Sequence, residues 1–271
     1  MPPRAWLVGI VIALAACEHA PPVAWSPPKT TPGAPPANWM LALDANDRPV
    51  TGTMPVIPFV PPAGACAASL VFARSGGAGW FAAWWQPRPD GGASLVVSRS
   101  ADDGSTWTVP SIADGRDRST HGCDRPRPAI AADSASGYVH LAYYLRSPNG
   151  AGVWFTHSLD NGATWHAPVG VFFGDDPARV SVAADHDTVA VAFEWPNASE
   201  ARVGVAISRT ARHIFETRSV ASSAAERASD PRVAVRGHVL VVGWTSRPPR
   251  AAAGDTIAAG VIRMGRIVTG R

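Results

Sequence analysis

One 29-residue stretch, repeated without a gap, constrains this chain more than any other feature. "GWFAAWWQPRPDGGASLVVSRSADDGSTW" begins at Gly79, and "GYVHLAYYLRSPNGAGVWFTHSLDNGATW" begins 58 residues later at Gly137. A third copy, "DTVAVAFEWPNASEARVGVAISRTARHIF", starts at Asp187, and a fourth starts at His238 with its closing phrase lost. Each copy carries four short runs of strand-forming residues separated by Gly, Pro, Asn and Asp turn signals. In the second copy they are "RPAIAAD", "YVHLAYY", "GVWFTHS" and "TWHAPVG". Four strands per repeat, with repeats in tandem, predict an all-β β-propeller of four-stranded antiparallel blades. A β-sandwich would leave the ungapped similarity unexplained.

The closing phrase falls between the third and fourth strands of its copy. Asp160 is placed to accept backbone N–H bonds across the turn, and Gly162 to adopt positive φ. Thr164 is expected to open the outer strand, with Trp165 packing back on the blade. The phrase resembles the Asp-box (BNR repeat), Ser-x-Asp-x-Gly-x-Thr-Trp, of the sialidase (neuraminidase) superfamily. It matches at Ser100, Asp102, Gly104, Thr106 and Trp107, and again at Ser158, Asp160, Gly162, Thr164 and Trp165. The resemblance implies a structural turn and specifies no activity, since such turns also occur in propellers that sort or assemble proteins. A calcium loop is excluded because position twelve of each turn would be Ala113 or Val171, where a bidentate Glu is needed.

Ahead of the repeats, "MPPRAWLVGIVIALAAC" has a charged lead and an apolar run too short to span a bilayer, as in an export signal. "LAAC" resembles a bacterial lipobox, which implies cleavage before Cys17 and lipid on that residue. An ordinary signal peptide cut nearby is the alternative. Glu18 at the next position leans toward the outer membrane of a Gram-negative cell envelope. Residues 18–37, rich in Pro and Thr, read as an extended, poorly ordered tether. Residues 38–271 then form the propeller domain, long enough for four or five blades. Within it, residues 38–62 supply two more strands that either close the ring against the last blade or build a degenerate fifth one. With Cys17 lipidated, Cys66 and Cys123 remain, at the starts of the inner strands of adjacent copies. In an exported protein they are expected to form a disulfide.

Three copies open with an acid followed by arginine: "CDRPRPAI", "DPARVSV" and "DPRVAV". This sets Arg127, Arg179 and Arg232 at the mouth of the central channel with Arg125 beside them, near Asp124, Asp176 and Asp230. Converging guanidinium groups need a shared anion or carboxylate partners. Ties between neighbouring blades would satisfy them as well as a ligand would. Sialidases use an arginine triad in this kind of position to clamp a sugar carboxylate, and the propeller puts the Asp-box turns on the opposite face. The second-strand ends bring Trp85, Tyr143, Tyr144, Glu194, Trp195 and Trp244 toward the arginine face, where Trp85 and Trp195 could stack on a sugar. A sialidase would need a tyrosine nucleophile, a glutamate partner and an aspartic acid. Tyr144 or Tyr143 with Glu194 fits the first two roles, and Asp114, Asp117 or Asp124 the third.

The chain departs from that family in lacking its Phe/Tyr-Arg-Ile-Pro stretch and in being too short for six blades. It has no H-E-x-x-H, G-x-S-x-G or Walker loop, and its histidines lack metal-ligand spacing, so neither metal nor cofactor is expected. A formal charge of +3 with a single lysine, Lys29, gives no footprint for nucleic acid. Three functions remain: binding of a glycan or another anionic ligand, an exo-sialidase-type hydrolase, and a protein-docking scaffold. Membrane contact is expected through the N-terminal lipid alone.

Overall fold

The computed structural model describes residues 22–76, 79–133, 136–197, 201–209, 214–248 and 258–268. The export signal and Cys17 lie outside them. The fold is a β-propeller. The first blade comprises Val71–Arg74, Trp80–Pro87, Ala93–Ser100 and Ser111–Asp114. The second comprises Ala129–Ala132, Val139–Ser147, Gly150–Ser158 and Val169–Phe173. The third comprises Val180–Asp185, Thr188–Glu194, Val203–Ser208 and Thr217–Val220. In each, the strands pair antiparallel in chain order from the axis outward.

The middle strands lack the apolar–polar alternation of a sheet with one wet face. Val139 through Leu145 are all buried, because each blade is covered on both faces by its neighbours. Successive side chains therefore enter different cores. Trp85, Leu141 and Tyr143 fill the space between the first and second blades. Tyr144, Phe155 and Phe193 fill that between the second and third. Val205, Leu240 and Trp244 fill that between the third and fourth.

The fourth blade shows how the ring closes. Its chain-consecutive strands are Arg227–Arg236, Val239–Arg247 and Ala259–Ile267. Its outer strand comes from the N-terminus in two collinear pieces, Val23–Trp25 pairing with Gly265–Ile267 and Lys29–Pro32 with Ala259–Ile262. The break falls at Ser26–Pro28, where two prolines have no N–H to give the ladder. The tether reading thus needs correction over these residues. Val23 is buried, and Trp25 donates from Nε1 to Ser219 Oγ of the third blade at 2.8 Å.

Residues 38–62 do supply two strands, Trp39–Leu43 and Pro49–Thr53, paired with each other alone among the described residues. They form a two-stranded fifth unit beside the fourth blade's inner strand. Arg236 donates to the carbonyls of Leu43 and Asp44, and the Trp39 ring lies against Gly243. The chain then crosses to the first blade, where Phe59 sits 4.7 Å from Trp107 and 5.3 Å from Trp84.

Both repeated turns have the same internal bonds. Ser158 Oγ and Asp160 Oδ1 are 2.7 Å apart, Gly162 N donates to Ser158 Oγ at 2.8 Å, and Thr164 Oγ1 donates to Asp160 Oδ2 at 2.6 Å. Ser100, Asp102, Gly104 and Thr106 repeat the pattern within 0.1 Å. Hydrogen bonds from the threonine and serine hold both carboxyls down at about 2. Gly162 takes φ 82°, as its place in the turn requires. The outer strand opens at Val169, later than the Thr164 expected, because Asp160 takes both the N–H and the hydroxyl of Thr164.

Candidate functional site

The inner strands all start at one end of the ring, and the blade-to-blade connections cross that end. The repeated turns lie at the other. Arg127 precedes its inner strand by two residues and Arg179 by one, while Arg232 lies within its strand at a bulge after Ser229. Asp230 in that bulge has φ 55°, and the bulge re-aims Arg232.

The four arginines are held very differently. Arg232 is saturated: Nη1 meets Asp230 Oδ1 at 2.9 Å and Nε donates to Trp39 O at 3.0 Å, with the guanidinium 5.6 Å from the Trp39 ring. It anchors the two-stranded unit. The Arg125 side chain is only 4% exposed. Its Nε and Nη2 both reach Asp117 Oδ2, at 3.0 and 2.7 Å, and Nη2 also donates to Ser119 O. That buried pair locks residues 117–125 and places Arg125 beneath the surface.

Arg127 and Arg179 are exposed. Arg127 donates from Nη2 to Leu70 O of the first blade. Its pKa is lowered by burial of part of its surface and by the charge of Arg232, with Asp230 opposing. Arg179 is 62% exposed and has only a loose 3.7 Å pair with Glu194. The Glu194 carboxylate is occupied mainly by backbone, accepting from Arg179 N at 3.1 Å and Asp230 N at 2.9 Å.

The two tyrosines separate by strand alternation. Tyr143 is fully buried and donates to Asp114 Oδ2 at 2.7 Å, and Asp114 pairs with Arg116 at 2.9 Å. Burial pushes its phenol well above the ordinary range, with Asp114 adding to the rise. Tyr144 reaches the arginine end and donates its hydroxyl to Asp175 O at 2.6 Å. Burial raises its pKa too. No hydrogen bond joins Tyr144 to Glu194 among the described residues.

A small cavity of about 60 Å³ opens beside Tyr144, lined among others by Ser119, His121, Asp124, Arg125 and Arg146. That is room for a few waters or one polar substituent. Asp124 is exposed at its rim, and Asp117 is consumed by Arg125. The aromatic candidates lie mostly inside the blades. Trp85 is fully buried with Nε1 donating to Pro126 O at 3.1 Å, and Trp244 is buried with Nε1 donating to Glu226 Oε2 at 3.1 Å. Trp195 is half-buried, 4.7 Å from Phe172. Cys66 and Cys123 form a disulfide that ties the start of the first blade to the segment bearing Arg125 and Arg127. Among the described residues no group of His, Cys, Asp and Glu is arranged to hold a metal.

Sequence reasoning passed over Arg146. It lines the cavity and donates from Nη2 to Asp175 O at 2.6 Å. The repeat itself held the signal, because Arg146 and Arg88 occupy the same position of successive copies.

No protein-family model matches the chain, and no curated protein is similar to it in sequence. Solved structures do resemble it. The endosialidase of phage phi92 superposes with a TM-score of 0.51 at 12% identity, over 83% of this chain and 40% of that one. A Hadza microbial sialidase gives 0.45 at 18% identity, over 65% and 41%. A protein of unknown function from Dyadobacter fermentans DSM 18053 gives 0.42 at 14%, over 92% and 100%. The chain spans about two fifths of the length of the two sialidase structures. Its fold is that of a sialidase-like propeller.

Proposed function

We propose that this chain is a cell-envelope lipoprotein whose propeller binds a glycan or another anionic ligand at its arginine-bearing end. The two repeated turns are Asp-boxes in this reading, and their role is structural. The observation that carries it is a pair of exposed guanidinium groups, Arg127 and Arg179, at one end of the ring. Arg127 lies in the opposing fields of Arg232 and Asp230 and gives its hydrogen bond to the Leu70 carbonyl, and Arg179 is mostly exposed with a loose partner. Exposed guanidinium groups suit carboxylate and sulfate groups, which they bind with paired N–H donors. Tyr144, Asp124 and Arg146 around the adjacent cavity add hydroxyl and charged groups of the kind that orient a sugar. The phage phi92 endosialidase, whose fold this chain resembles, is consistent with a glycan ligand.

Binding is preferred over hydrolysis on a specific ground. Tyr144 gives its proton to a backbone carbonyl, and Glu194 accepts backbone N–H groups, so neither is arranged to activate the other.

The test is calorimetric titration with a sialylated trisaccharide, a sulfated uronic oligosaccharide and their neutral counterparts. Binding of a charged sugar that weakens with salt and is lost in Arg127→Ala/Arg179→Ala supports the proposal. Charged sugars binding the double variant as tightly as the parent would overturn it. Turnover of a sialoside, abolished by Tyr144→Phe, would replace binding with catalysis.

A further inference from the structure

We infer that the lipid anchor leaves the propeller on the face carrying the two repeated turns, so that the arginine-bearing end points away from the bilayer. This rests on the reading of Cys17 as lipidated and of the arginine end as the binding end. Strand direction supplies the argument. The fourth blade's inner strand starts at the arginine end, so its third strand, Ala259–Ile267, runs from that end toward the turns. The N-terminal pieces pair antiparallel to it, with Val23 opposite Ile267 and Pro32 opposite Ala259. The chain therefore enters the fold at the turn end and climbs toward the arginine end.

Its entry point is fixed. Val268 N donates to Pro22 O at 3.0 Å, Val23 is 1% exposed, and Ser26 N donates to Met264 O at 2.9 Å. Five residue steps separate Pro22 from Cys17. Fully extended, they reach at most about 18 Å. The nine-residue strand Val139–Ser147 shows the height of a blade, about 30 Å at the rise of an extended chain. A lipid on Cys17 cannot pass from the turn end to the arginine end within that reach. The ligand accordingly arrives from the aqueous side, and head groups of the bilayer that holds the protein are not the ligand.

Fluorescence quenching on vesicles tests this. The full chain is purified in its lipidated form, with the lipid verified by the mass of its N-terminal peptide. It is then reconstituted into phosphatidylcholine vesicles containing a head-group quencher. Single labels go on two exposed positions of the same blade: Leu159→Cys at the turn end and Asn149→Cys at the arginine end. Quenching several-fold stronger at position 159 supports the inference, as does its collapse when a long Gly/Ser spacer follows Glu18. Equal quenching, or stronger quenching at position 149, overturns it. An N-terminal peptide without lipid overturns it through the reading of Cys17 and leaves sugar binding by the released domain untouched. Lost sugar binding with the quenching difference intact would instead remove the binding proposal and the claim about where ligand arrives.

Discussion

Acid should destabilise this propeller through one histidine, and the effect can be sized. His140 lies in the second blade's Val139–Ser147 strand and is 1% exposed. Its ring stacks on Phe155 at 5.9 Å and meets His157 edge-on at 5.9 Å. Neither ring nitrogen has a hydrogen-bond partner among the described residues. Burial lowers its pKa from 6.5 to about 4, against an opposing pull from the Asp133 charge. The unfolded chain therefore takes up a proton near pH 6.5 and the folded one not until about pH 4. Between those values the unfolded state holds more protons, so stability falls as pH falls. From pH 7.5 to 5 the loss from this one group is about 2 kcal/mol. For a domain of this size, that is a shift of roughly 4–8 °C in Tm. Thermal unfolding followed by circular dichroism at both pH values, on the parent and His140→Leu, isolates it. The parent should lose that much more than the variant. Equal losses in the two proteins would refute the assignment of a buried, neutral His140.

Three further outcomes are expected. Tyr143→Phe removes a bond to the buried Asp114 and should cost about 1–3 kcal/mol in urea unfolding while leaving ligand affinity unchanged; a selective loss of binding would return Tyr143 to the site. Val23→Ala should cost about 2 kcal/mol, because Val23 packs in the core shared by the third and fourth blades, whereas a mobile tether there would make it silent. Replacing both Cys66 and Cys123 by Ser opens a closure with a sequence separation of 57 and should cost roughly 4 kcal/mol by loop entropy, read from the urea midpoint against the oxidised parent.

Those elements also mark where the sequence was readable. The blades were legible because four strands recur with their turn signals, and the Asp160 and Asp102 turns because their bonds are local. Ring closure was hidden for the opposite reason. Val23–Trp25 and Lys29–Pro32 are three and four residues long, flanked by prolines, and made strands only by the open edge of Ala259–Ile267. At the site, position along the chain was read well and side-chain direction poorly. Tyr143 and Tyr144 are adjacent, yet alternation sends one to the core between the first and second blades and the other to the cavity. Trp85 could pass for a sugar platform because a strand covered on both faces has no polar residues to mark its inner side. Arg125 and Arg127 differ through Asp117, eight residues before Arg125, whose carboxylate draws only Arg125 inward.

The central claim is that ligand meets the arginine end and leaves the repeated turns alone. Hydrogen exchange read by mass spectrometry, with and without a saturating charged sugar, tests it directly. The account predicts new protection in residues 117–127, 174–179 and 229–232, and none in residues 101–107 or 159–165. Protection confined to those two turns would contradict it.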